Sequence, residues 1–201
     1  FYDDDPQHSF EIRNHQNYVS GNLLKTEIHD PFLLPIMVLI RREWAERVGG
    51  MSETLQSNED WHFWLKVATM GGLFAYVDGP PVARYRLRRN NSARSGWVHE
   101  WSAVLALRRI KASLTAAQRR YCKIDQAIGK AMFGYGVWLA RDGHPWKGGY
   151  WITRSLTLNQ QRILYRLLNI LLAVTGQIHR LEGLIEHKSR IWKRPLADTT
   201  T

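Results

Sequence analysis

Residues 35–50 read PIMVLIRREWAERVGG, and the fold class turns on the first half of that string. Pro35 to Arg42 is a short apolar run rich in branched side chains, closed by two arginines. Branched side chains suit a pleated, buried surface, so the run is read as a buried strand. REWAERVGG follows as a short helix. Gly49 and Gly50 end it, because glycine enters the left-handed conformation at a helix C-terminus without steric cost. A strand that feeds a helix points to an α/β arrangement.

Met51 to Gln56 reads as a loop, and SNEDWHFWLK, residues 57–66, opens a second helix running from about Asn58 to Met70. Ser57 or Asn58 can cap it with a short polar side chain. Glu59 and Asp60 complement the positive end of the helix dipole. Trp61, Trp64, Leu65 and Ala68 recur at i, i+3, i+4 and i+7, which places them on one apolar face. Gly71-Gly72 stops the helix. LFAYVD (73–78) then reads as a strand, and GPPVARYRLRR (79–89) as a turn leading into another. Residues 1–30 are polar and broken. Asp3, Asp4 and Asp5, followed by Pro6, read as a solvated turn rather than a metal motif.

From Trp97 onward the pattern is helical. HEWSAVLALRRIKASL is one helix, and Thr115 is placed to cap a long one, AAQRRYCKIDQAIGKAMFGYGVWLARDG, ended by Gly143. Pro145 begins PWKGGYWITRSLTL; NQQRILYRLLNILLAVTG and QIHRLEGLIEHKSRIWKR complete the series. Short turns between amphipathic helices imply a bundle. The run from Ile163 to Val174 would span only about 18 Å as a helix, too short to cross a bilayer. It reads as a core helix or as one lying in a membrane interface. The organisation expected is an α/β unit over residues 1–96 and a separate all-α helical bundle over 97–201.

Charge divides at the same place. Residues 1–96 carry 11 Lys/Arg against 12 Asp/Glu, and residues 97–201 carry 17 against 6. A second half at net +11 suits an anionic partner, such as lipid head groups, nucleic acid or an anionic substrate, or else a set of solvated helix faces. No nucleic-acid reading motif occurs. The single cysteine, Cys122, excludes an internal disulfide and fits a reducing compartment. The eight histidines are scattered without ligand spacing, so no metal site is assigned to them. The chain begins at Phe1 with no basic-plus-apolar leader and reads as part of a longer protein.

The ordered set VLIRR, VGGMSE, NEDWHFWLK and ARYRLR, over roughly residues 35–95, resembles the second half of a family 2 glycosyltransferase catalytic domain of the GT-A type. The resemblance implies a partial GT-A, Rossmann-like sheet with flanking helices. It implies inverting transfer of a sugar from a nucleotide-sugar donor to a glycan or lipid-linked acceptor in bacterial cell-envelope polysaccharide synthesis. The setting would be cytoplasmic, peripheral at the inner face of the plasma membrane. The acid of the family's Glu-Asp pair that takes the acceptor's proton carries over to Asp60, and a half-buried carboxylate suits that task. Glu59 would hold acceptor hydroxyls or orient the loop. Trp61 either offers a flat face to a sugar ring or belongs to the core.

Tyr85, Arg86 and Arg88 fall on the family's Tyr-Arg-x-His, with Arg88 in place of the histidine. Arginine cannot ligate a metal, but it can neutralise a diphosphate leaving group. The family's nucleotide-binding half, with its metal-holding Asp-x-Asp, has no counterpart here. A divalent metal (Mg or Mn) is therefore expected with ligands outside this chain, and the 201 residues are expected to be inactive alone. The competing reading is a basic helical binding or scaffold module at a membrane surface or on a partner protein.

Overall fold

The computed structural model describes residues 20–79, 96–159 and 163–175. They form eight α-helices: α1 (Leu24–His29), α2 (Arg42–Arg47), α3 (Glu59–Thr69), α4 (Trp97–Ser113), α5 (Ala116–Cys122), α6 (Ile124–Arg141), α7 (Pro145–Leu156) and α8 (Ile163–Val174).

The α/β expectation is overturned: among the described residues there is no strand and hence no Rossmann-like sheet. Pro35–Met37 instead forms a 3-10 turn, and Val38 beyond it is extended (φ −119°, ψ 126°). The segment is not buried throughout as expected. Val38 and Ile40 turn inward against Val48, Phe63, Trp64 and Val67, while Leu39 between them is fully exposed. What is missing among the described residues is a partner ladder, and a strand without one is only extended chain. LFAYVD fares similarly. It makes a single antiparallel bridge, in which Gly21 and Phe74 exchange backbone bonds of 2.7 and 2.8 Å. From residue 80 the next expected strand lies outside the described residues, as does Asp3–Asp5.

Stop signals act as read. Gly49 and Gly50 end α2 and Gly71 ends α3, all at positive φ, and Pro145 opens α7. Thr115 caps α5 through a reciprocal pair with Gln118. The long helix expected after Thr115 is divided, however, because Lys123 (φ +49°) takes the left-handed conformation between α5 and α6. The Cys122 carbonyl at this break lies 2.6 Å from His29 Nε2, so α1 holds the joint from outside.

One core runs through both halves of the chain. Leu24 and Ile28 of α1, together with Trp61, Leu65 and Ala68 of α3, pack with Val104, Leu107 and Ile110 of α4. Ile124, Ile128 and Met132 of α6 complete the group. A smaller group joins Val137 and Ala140 of α6, Ile152 of α7 and Ala173 of α8. At the α6–α7 crossing the backbones nearly touch. A Cβ on Gly136 would lie 2.7 Å from the Gly148 carbonyl oxygen, and one on Gly148 would lie 2.6 Å from that of Gly136. Only glycine permits that approach.

Candidate functional site

The first turn of α3 carries the candidate acid. Asn58, in the left-handed region (φ +60°), precedes the helix, and neither its side chain nor that of Ser57 makes the expected cap. Both turn to His99 of α4 instead. Ser57 Oγ lies 2.9 Å from His99 Nδ1, and Asn58 Nδ2 donates to the His99 carbonyl at 2.9 Å. Asn58 Nδ2 also points at His99 Nδ1, at 3.4 Å. An amide nitrogen only donates, so Nδ1 is the acceptor and the ring proton sits on Nε2.

Asp60 is half-buried, and its Oδ1 accepts the Trp61 backbone N–H at 2.7 Å. Burial lifts its carboxyl above the usual carboxylate range. The Trp61 N–H opposes that lift, the Glu59 charge adds to it, and His99 opposes it. Burial in turn lowers His99, against the pull of Asp60.

Glu27 of α1 completes the group. Its side chain is wholly buried; Oε1 accepts the Phe32 N–H at 3.2 Å, while Oε2 has no hydrogen-bond partner. Burial pushes it up to about 7, and the charges of Asp30 and Asp60 act in the same direction. Both carboxyls are raised by burial, and the charge of Asp60 on α3 reaches Glu27 on α1. Glu27, raised to about 7, can accept a proton near neutral pH, and Asp60 moves in the same direction.

Of the residues singled out from the sequence, Asp60 and Glu59 sit together at the start of α3, neither fully buried. Trp61 is in the core, 8% exposed, with its indole N–H donated to the Glu27 carbonyl at 2.8 Å. Of its two readings, the core one describes its place. Tyr85, Arg86 and Arg88 lie outside the described residues. Sequence reasoning missed Glu27 and His99. Glu27 sits in a polar stretch with no motif, and His99 was one of eight dispersed histidines. Ser57 and Asn58 were noticed for capping, the role they do not fill.

Among the described residues no group of three or more His, Cys, Asp or Glu is placed to hold a metal ion, and no helix is long and apolar enough to cross a membrane. Comparison with family models, curated proteins and solved structures returned no match.

Proposed function

We infer that this chain is the acceptor-side part of a glycosyltransferase, with Asp60 as the general base. The observation that carries the reading is the raised, half-buried Asp60 carboxyl at the start of α3, coupled to Glu27 and His99. In inverting transfer an acceptor hydroxyl attacks the anomeric carbon, the bond to the nucleotide diphosphate breaks, and the hydroxyl proton leaves to a base. A carboxylate whose proton affinity burial raises takes that proton more readily than a solvated one. Glu59 beside it can receive a further acceptor hydroxyl. Neither role needs a sheet within these residues.

The donor would be a nucleotide sugar and the acceptor a glycan or a lipid-linked glycan. A divalent metal would supply charge neutralisation on the diphosphate. The described residues do not fit one, so no step is routed through it.

The test is transfer from a panel of UDP-, GDP- and dTDP-sugars by the intact enzyme carrying Asp60→Asn. Turnover should fall roughly a hundredfold or more, the usual worth of a general base, with donor binding unchanged. Wild-type turnover in that variant would refute the assignment.

A second reading has its own observation. Ile163, Leu167, Leu171 and Val174 line one face of α8 and are exposed, in the half of the chain with net charge +11. An apolar stripe on a helix within a basic half of the chain suits the interface of an anionic membrane, where a lipid-linked acceptor resides. Binding to vesicles of anionic but not zwitterionic lipid supports this reading.

A further inference from the structure

A cavity of about 340 Å³ opens beside α3, away from Asp60. His62, Lys66, Thr69 and Met70 line it, spaced along one stripe of the helix, and Asp60 is roughly 200° round from His62. Arg109 and Ile110 of α4 form the facing wall, and Arg47 and Val48 at the end of α2 close it. Three cationic side chains border this space, and no Asp or Glu is among its lining residues.

The cations are held by neutral groups. Lys66 Nζ donates to the carbonyls of Val48 and Gly50, each at 2.6 Å. Arg109 donates to Ser52 Oγ and Thr54 Oγ1, each at 2.9 Å, and Arg47 stacks over Trp44 at 5.1 Å. Their field reaches His62, where burial first and then Lys66 and Arg109 hold the imidazole down at about 4. His62 Nδ1 and Thr69 Oγ1 are buried without a hydrogen-bond partner. A concave site bordered by three cations, with no Asp or Glu among its described lining and two unpartnered polar atoms, suits an anion.

We propose that this cavity binds a phosphomonoester carrying a compact organic group. The phosphate meets Arg47, Lys66 and Arg109, and the organic part lies on Val48, Met70 and Ile110. A dianion with three oxygens matches three cations, where a carboxylate would leave charge uncompensated. The volume is at the lower end for small-molecule pockets, and a bare phosphate would leave most of it empty. The site is independent of the glycosyl-transfer reading, so either stands if the other fails.

Calorimetric titration of the 201-residue chain at low salt tests it, with phenyl phosphate, inorganic phosphate and phenol as probes. Phenyl phosphate should bind roughly tenfold tighter than inorganic phosphate through its buried ring, and phenol should not bind measurably. Arg47→Gln and Arg109→Gln should each weaken phenyl phosphate by roughly tenfold or more. Arg108→Gln, an exposed neighbour outside the lining, should change it less than about twofold. Ser52→Ala with Thr54→Val, which frees Arg109 but keeps every charge, should also retain binding. The His62 ring, followed by NMR, should titrate at higher pH once phenyl phosphate is bound. Equal binding of phenol, or no binding at all, overturns the proposal. So does an Arg47→Gln or Arg109→Gln loss no larger than that of Arg108→Gln. If the hydroxyl variant loses binding as fully as Arg109→Gln while Arg47→Gln keeps it, Arg109 only braces the loop and the site falls.

Discussion

Residues 20–79 and residues 96–159 satisfy their backbones differently. In the second region α4, α6 and α7 are long, and each closes its hydrogen bonds within itself. Their remaining task is to bring apolar faces together, done at closest range where Gly136 meets Gly148. In the first region the helices are short, and extended segments at 38–40 and 73–77 join them with only the Gly21–Phe74 bridge between strand-like pieces. Large apolar side chains stay in water in both regions: Ile36, Met37, Leu39, Leu73 and Val77 in the first, and Tyr121, Trp146 and Tyr150 in the second. The difference is that a helix needs only a neighbour for its face, whereas an extended segment needs a partner for its backbone as well.

If the two regions share one core, the largest effect should come from the residue that joins them. Leu65 of α3 is fully buried among side chains of α1, α4 and α6. Leu65→Ala should cost about 2–5 kcal/mol and leave a single cooperative unfolding transition in denaturant. Two separated transitions, with helices of the second region outlasting the first, would show that the regions are thermodynamically distinct.

Glu27 sharpens the same comparison by pH. Its folded-state affinity for protons is raised to about 7 from 4.5, so the folded chain binds more protons than the unfolded chain between those values. Stability from this group is therefore lost as pH rises through that window. His62, held at about 4, works in the opposite direction over a partly overlapping range. The difference between wild type and Glu27→Gln isolates the glutamate. The variant should gain on the wild type from pH 4.5 to 7, by on the order of 2–3 kcal/mol in total. A difference flat with pH would show that Glu27 is not buried as described.

The smallest effect belongs to the joint between α5 and α6. Lys123 holds a positive φ that a side chain resists, so Lys123→Gly should stabilise by about 0.5–1 kcal/mol in thermal unfolding. A destabilising result would mean that the lysine side chain anchors the joint.

Legibility followed the range of the forces. The apolar face of α3 was readable because Trp61, Trp64, Leu65 and Ala68 recur at helical spacing, and all four are buried. Asp60 was readable as a candidate acid from its motif. Glu27 and His99 were not, because they lie 33 residues before and 39 after it in the sequence and meet it only through packing. The expected cap at Ser57 or Asn58 failed for the same reason: His99, a remote residue, offered those side chains partners that local reading could not weigh.

The sequence by itself determined most of the helices, several of their glycine and proline boundaries, and the inward face of α3. Each rests on bonds and spacings within a few residues, which composition and period encode directly. The exposure of Ile36, Met37 and Leu39 was not legible in the continuous apolar run, which reads as buried throughout. Only the tertiary structure decided that this extended run has no ladder beside it among the described residues and that the chain breaks at Lys123. It alone decided, too, that the charge of Asp60 reaches buried Glu27 and adds to its raised proton affinity. A strand's hydrogen bonds and a carboxyl's proton affinity are both set by groups distant in sequence, so no local pattern carries them.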